Sequence, residues 1–129
     1  MATILLIEDN IRNAHLTMKV LSHYGYEIIH AQTAIDGLRE AQLHPPDLIL
    51  LDLDLPDLDG KAVANRLRQM PSMCKIPIVA LTANTAPTTK RLAMAFGCNG
   101  FLTKPIDTRE FPNQVAAFIK VAVVDSHPI

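Results

Sequence analysis

Short apolar runs punctuated by turn residues recur along the chain, at Thr3–Ile7, Glu27–His30, Leu48–Leu51, Ile76–Leu81 and Gly100–Leu102. Three of them are nearly unbroken Ile, Leu and Val, the pattern of strands buried on both faces of a parallel sheet. Between the runs the apolar period lengthens to that of a helix. A first helix is predicted over Ile11–Ser22, with Ile11, Ala14, Met18 and Leu21 on one face, Asn10 as N-cap and Gly25 just past the end. A second fits Ala34–Gln42 and is stopped by Pro45 and Pro46; a third fits Lys61–Gln69, with Asp59 as N-cap and Pro71 beyond. Pro87 opens a fourth that runs to Phe96 and is closed by Gly97. The last, over Arg109–Val121, buries Phe111, Val115, Phe118 and Ile119, although Pro112 sits late for a first turn because it cannot donate a backbone hydrogen bond.

Strand and helix thus alternate five times. Right-handed crossovers between parallel strands turn that order into an α/β fold, a doubly wound five-stranded parallel sheet with five helices on its two faces. With 129 residues the chain fills one domain, assigned to 1–124, with 125–129 as a C-terminal tail; a second folded domain has no room.

Composition narrows the partners more than the fold. The chain is 49% apolar and 19% charged, with a net charge of −1, which gives no basic footprint for direct nucleic-acid binding. Cys74 and Cys98 form no C-x-x-C pair, and no charged-apolar-small leader opens the sequence. No apolar run approaches the roughly eighteen residues of a membrane span. These features lead us to expect a soluble, cytoplasmic protein with reduced thiols. His15, His23, His30, His44 and His127 are scattered singly, without the i, i+4 spacing of a helical metal site, and read as surface or packing residues.

Open sheets of this kind bind ligands beyond the carboxyl ends of their strands. Glu8 and Asp9 follow the first strand, Asp52 the third, Thr82 the fourth, and Lys104 lies just beyond the fifth. Singly, each has a plain structural account: Asp9 or Asn10 can cap a helix, Thr82 can end a strand, and Lys104 can be a solvated charge. Together they gather three carboxylates, and two unit charges about 5 Å apart repel by roughly 3 kcal/mol at an effective dielectric of about 20. Such a cluster calls for a cation or a proton. Oxygen donors without nearby cysteine or histidine favour a hard ion such as Mg2+. The Lys104 ammonium and the Thr82 hydroxyl suit phosphoryl oxygens, and Asp52, on the central strand, is best placed to attack phosphorus.

The segments ILLIEDN at 4–10, PDLILLDLDLPDLDG at 46–60, PIVALTA at 77–83 and GFLTKP at 100–105 carry a resemblance that spans nearly the whole chain. It resembles the receiver domain of two-component response regulators, in the single-domain, chemotaxis-regulator-like form. The resemblance implies a flavodoxin-like strand order 2-1-3-4-5. It also implies that Asp52 accepts a phosphoryl group from a histidine kinase or a histidine phosphotransfer protein. By the same resemblance Glu8, Asp9, Asp52 and the backbone carbonyl of Asp54 hold Mg2+, and Thr82 and Lys104 contact the phosphoryl oxygens. It further implies a cis Lys104–Pro105 bond and a switch through Thr82 and Phe101. A downstream protein would be bound on the face of the fourth helix, fifth strand and fifth helix, near Pro87–Phe96 and Arg109–Lys120. Such a domain is no enzyme in the ordinary sense, since it catalyses only its own phosphorylation and dephosphorylation.

Three features depart from the most familiar pattern, at four positions. Glu8 stands where many members have aspartate, which lengthens one arm of the acid pair. Phe101 replaces a common tyrosine, so its ring can move but has no phenol hydroxyl, and it also reads as a plain core residue. Asp54 and Asn84 occupy places that in this family tune the loss of the phosphoryl group. Rival readings keep their own tests. Asp52-Leu53-Asp54 matches the D-x-D of a haloacid-dehalogenase-type phosphatase, although there the motif usually follows the first strand; turnover of a small phosphate ester discriminates. A flavin or dinucleotide module needs a glycine-rich loop where Glu8-Asp9-Asn10 stands. A pseudo-receiver acting only as a scaffold is at odds with the complete set of site residues.

Overall fold

The computed structural model describes residues 2–126, with side chains as far as residue 119. Its elements are β1 (Thr3–Ile7), α1 (Ile11–His23), β2 (Glu27–Ala31), α2 (Ala34–Leu43), β3 (Leu48–Asp52), α3 (Gly60–Gln69), β4 (Ile78–Thr82), α4 (Pro87–Ala95), β5 (Gly100–Thr103) and α5 (Phe111–Ser126). All strands pair in parallel in the order β2-β1-β3-β4-β5, the doubly wound arrangement with the reversal between β1 and β3.

The alternation of side chains along each strand divides the core in two. Leu5, Ile7, Ile49, Leu51, Ile78 and Ala80 face α2, α3 and α4 through Ala34, Ala41, Val63, Leu67 and Ala93. Ile4, Leu6, Leu48, Leu50, Val79 and Leu81 face α1 and α5 through Ala14, Leu21, Phe111 and Val115. Every residue of β3 and β4 is buried, which is why those strands read as continuous apolar runs. Truncating a fully buried leucine such as Leu50 to alanine would cost about 2–5 kcal/mol.

Local chemistry sets the boundaries. Asn10 caps α1 by accepting from the Asn13 N–H, and Asp59 caps α3 by accepting from the Lys61 N–H. Gly97, at φ +114°, takes the left-handed turn that closes α4, a conformation unfavourable for residues with a Cβ. Three expectations are corrected. β4 begins at Ile78, two residues later than predicted, because a one-turn 3-10 helix at Pro71–Met73, in which Met73 N–H donates to Met70 O, is followed by a turn in which Ile76 N–H donates to Met73 O, and Pro77 has no N–H for the ladder. α5 starts at Phe111: Asp107 closes the preceding turn by accepting from Arg109 N–H, and Pro112 falls second in the helix, where a missing donor costs nothing. It then runs to Ser126; residues 127–129, with His127, lie outside the described residues, as does the side chain of Lys120. Finally, Ile11, expected on the buried face of α1, is 51% exposed beside the polar loop, and Thr17 is buried instead. No described helix is long and apolar enough to cross a membrane.

Candidate active site

The backbone ladder runs one residue past the strands and so fixes where the polar side chains start. Glu8 N–H donates to Ala31 O, Leu53 N–H to Leu81 O and Lys104 N–H to Thr82 O, each at 2.9–3.0 Å. Glu8, Asp52, Thr82 and Lys104 are thereby delivered to one edge of the sheet. Glu8, Asp52 and Thr82 are 1–2% exposed, although all three are polar, and Asp9 beside them is exposed. A carboxylate oxygen from each of Glu8, Asp9 and Asp52 lies within 4.8 Å of the others. Lys104 reaches into this group: its Nζ stands 2.8 Å from Asp52 Oδ2 and 3.2 Å from Glu8 Oε1. Asp52 Oδ1 accepts from the Asp54 N–H at 2.9 Å, so both oxygens of the carboxylate are held. The Lys104–Pro105 bond is cis.

Burial and mutual charge polarise the three groups. Burial first, then the hydrogen bond and charge of Asp52, push Glu8 up to about 7 against the opposing pull of Lys104. Burial would raise Asp52 too, but its bonds to Glu8, Lys104 and the Asp54 backbone hold it below the usual carboxylate range. Burial works against the charge on Lys104, yet Asp52 and Glu8 raise its pKa. A proton on Glu8 shared with Asp52 thus relieves the repulsion of two buried carboxylates, and a hard cation among the same oxygens would do so more fully. The donor set fits such an ion: carboxylate oxygens at three positions, with no thiol or imidazole in the cluster.

A solvent-open cleft of about 290 Å³ adjoins this edge, lined by Glu8, Lys104, Asn13, Thr17 and Ala83. Thr82 Oγ1 accepts from the Asn84 N–H at 3.0 Å. Phe101 pairs across from Ala80, half-buried against the α2–α4 side of the core, and Lys90 Nζ sits 4.5 Å from its ring centroid.

The family model of the response regulator receiver domain matches residues 4–116. The chain belongs to this receiver family. A similar relative is the polar-differentiation response regulator DivK of Brucella abortus, 29% identical over 91% of this chain and 95% of its own length. Among solved structures, the chain is similar to the receiver domain of the sensor histidine kinase PA1611 from Pseudomonas aeruginosa, which has a magnesium ion coordinated in its active-site cleft; identity is 31%, coverage 92% and 98%, and the TM-score 0.86. Chemotaxis protein CheY4 of Vibrio cholerae is 27% identical over 92% of this chain and 98% of that one, with a TM-score of 0.88. Membership of the family leaves the haloacid-dehalogenase reading without support.

Of the receiver-site residues expected from sequence, Glu8, Asp9, Asp52 and Lys104 come together directly. Thr82 ends the neighbouring strand, and Phe101 lies farther down β5, away from the carboxylates. Three residues were missed. Gly60 packs so tightly that an added Cβ would lie 2.5 Å from Leu53 Cα and 2.8 Å from Asp52 O, a reason for the Asp-Gly that ends the 46–60 segment. The His30 ring, through Nε2, hydrogen-bonds the Glu8 carbonyl at 2.8 Å from the adjacent strand. Asp57 accepts from two amides of α2. The Asp-Gly was in plain view as a signal; the other two depend on contacts across 22 or 23 residues.

Proposed function

We propose that Asp52 of this receiver domain accepts a phosphoryl group from a histidine kinase or a histidine phosphotransfer protein in the presence of Mg2+. The observation that carries this reading is a nearly fully buried Asp52 bonded at 2.8 Å to Lys104 and crowded by two further acids. An Asp52 oxygen would attack phosphorus, an O–P bond forming as the donor's N–P bond breaks and its electron pair returns to the imidazole nitrogen. Lys104, already at the acceptor, is placed to exchange one carboxylate oxygen for a phosphoryl oxygen. The Thr82 hydroxyl donates to another. Glu8, Asp9, Asp52 and the Asp54 backbone carbonyl would hold Mg2+, which when bound would supply positive charge against the carboxylates and the incoming phosphoryl oxygens. The magnesium in the PA1611 receiver domain supports this assignment.

The domain then works as a cytoplasmic switch whose only chemistry is its own phosphorylation and dephosphorylation. Movement of Thr82 toward the phosphoryl group frees Phe101 to shift, and the change is read by a downstream protein on the face of α4, β5 and α5. We assign the receiver domain to 1–124, with the last two residues of α5 beyond it. Labelling by acetyl phosphate tests the chemistry: phosphoprotein forms with Mg2+ and not in EDTA, and equal labelling in both refutes the metal's role.

A further inference from the structure

Asp57 lies five residues beyond Asp52, on the loop 53–59 that leads from β3 to α3. Its carboxylate binds a different element. Oδ1 accepts from Ala34 N–H at 3.0 Å and Oδ2 from Ile35 N–H at 3.2 Å, in the first turn of α2. That helix has its own cap in Thr33, whose hydroxyl accepts from Asp36 N–H at 3.1 Å. Asp57 therefore serves amides that Thr33 leaves free, and the bond from Ala34 foremost holds its carboxyl below the usual carboxylate range. The inner end of the loop is fixed separately: Leu53 and Leu55 are buried, Gly60 N–H donates to Leu53 O at 3.2 Å, and Asp54 N–H donates to Asp52 Oδ1. Asp54, Pro56, Asp57 and Asp59 are all exposed, and in the outward half of the loop Leu58 alone packs, half-buried, against the core, so few apolar contacts hold it.

We propose that Asp57 is a positioning residue for the phosphoryl and metal site, tying the loop that carries Asp54 to the first turn of α2. The inference rests on the assignment of Asp52 as acceptor and of the Asp54 carbonyl as a metal ligand. The Asp54 N–H, which orients Asp52, and the Asp54 carbonyl lie between the buried Leu53 and Leu55 of this loop, three residues from Asp57, and feel its tie through Leu55 and Pro56. Loosening its outer end therefore lowers the fraction of molecules in which acceptor and metal ligands are aligned. Loss of a helix-capping carboxylate at an exposed position multiplies the open-to-closed ratio by about two- to fivefold. A closed fraction reduced in this way raises the Mg2+ concentration at half-saturation, by at most the same factor, and leaves the rate at saturating Mg2+ unchanged.

The test compares wild type, Asp57→Ala and Asp57→Asn as full chains, the asparagine keeping one acceptor oxygen. Amide hydrogen exchange is followed in EDTA, and Mg2+ half-saturation is read by calorimetry and by acetyl phosphate labelling. Asp57→Ala should speed exchange over residues 53–58 by about two- to fivefold, raise Mg2+ half-saturation and spare the plateau rate, with Asp57→Asn restoring much of each. Faster exchange confined to residues 34–36, with loop exchange and Mg2+ half-saturation as in wild type, would make Asp57 only a cap of α2 and overturn the inference. If the wild-type protein itself neither bound Mg2+ nor took up phosphoryl, the assignment beneath the inference would fall. Loop exchange in EDTA would still show whether Asp57 holds the loop.

Discussion

Replacing Lys104 with methionine keeps the length and apolar stem of the side chain and deletes the one cation within reach of both Asp52 and Glu8 among the described residues. At an effective dielectric of about 20, unit charges about 3 Å apart attract by roughly 5–6 kcal/mol. Desolvation offsets part of that, and stripping one partner from a buried pair costs about 3–5 kcal/mol. Lys104 keeps 18% of its side chain exposed, and the orphaned acids can take up a proton, so we expect about 3 kcal/mol near pH 8. For a domain of this size that is a fall of about 10 °C in Tm. The pH dependence follows from proton linkage. In wild type, Glu8 is raised, so its contribution to stability declines as pH rises from 4.5 to about 7. Asp52 is lowered, so its contribution is present above its unfolded value and fades only as pH falls toward the folded one. Without Lys104 the only pull against burial of Glu8 is gone, so Glu8 titrates higher still, and Asp52, which keeps its bonds to Glu8 and the Asp54 N–H, rises from its wild-type value. The folded variant then binds extra protons, and its deficit should be about 2 kcal/mol smaller at pH 5 than at pH 8. Urea unfolding in EDTA at the two pH values measures this. Equal deficits at pH 5 and pH 8 would refute the electrostatic account and leave packing of the lysine stem as the cause.

Two other substitutions probe separate parts of the structure. Gly60→Ala drives a Cβ against backbone atoms of Leu53 and Asp52 and should cost about 2–3 kcal/mol in urea unfolding; a loss under about 0.5 kcal/mol would mean that the loop yields freely. Thr82→Ala removes the hydroxyl we propose as a donor to the phosphoryl group and should raise the beryllofluoride concentration needed for half-saturation by about tenfold or more, whereas an unchanged value would take the hydroxyl out of the site.

Most of the fold can be read in the sequence because burial on both faces leaves nearly unbroken runs of Ile, Leu and Val in β1, β3 and β4. The N-caps Asn10 and Asp59 were equally plain, since a cap acts within three residues of itself. Boundaries failed where a competing local structure intervened: the 3-10 turn ahead of Pro77, and the Asp107 turn ahead of Pro112. The acidic cluster was legible because the class of fold places every strand's carboxyl end on one edge, so residues distant in sequence could be assigned to one place. Asp57 was not, because an aspartate after proline in a polar loop looks like any turn residue; only its contact with Ala34 and Ile35 gives it a role. Arg68 is a similar case. Its guanidinium binds the carbonyls of Gly97, Met73 and Ile76 and the Asn99 side chain, joining the α3, β4 and α4 connections through contacts that no periodicity announces.

The central claim, that Asp52 is the acceptor, is tested most directly by locating the phosphoryl group chemically. Protein labelled by acetyl phosphate in Mg2+ is reduced with borohydride, which converts an aspartyl phosphate to homoserine, and is then digested and sequenced by mass spectrometry. Homoserine at Asp52, absent from Asp52→Asn and from samples labelled in EDTA, is the predicted result. Homoserine at Asp9 or Asp54 instead, or a phosphate on Thr82 that survives acid, would contradict the account.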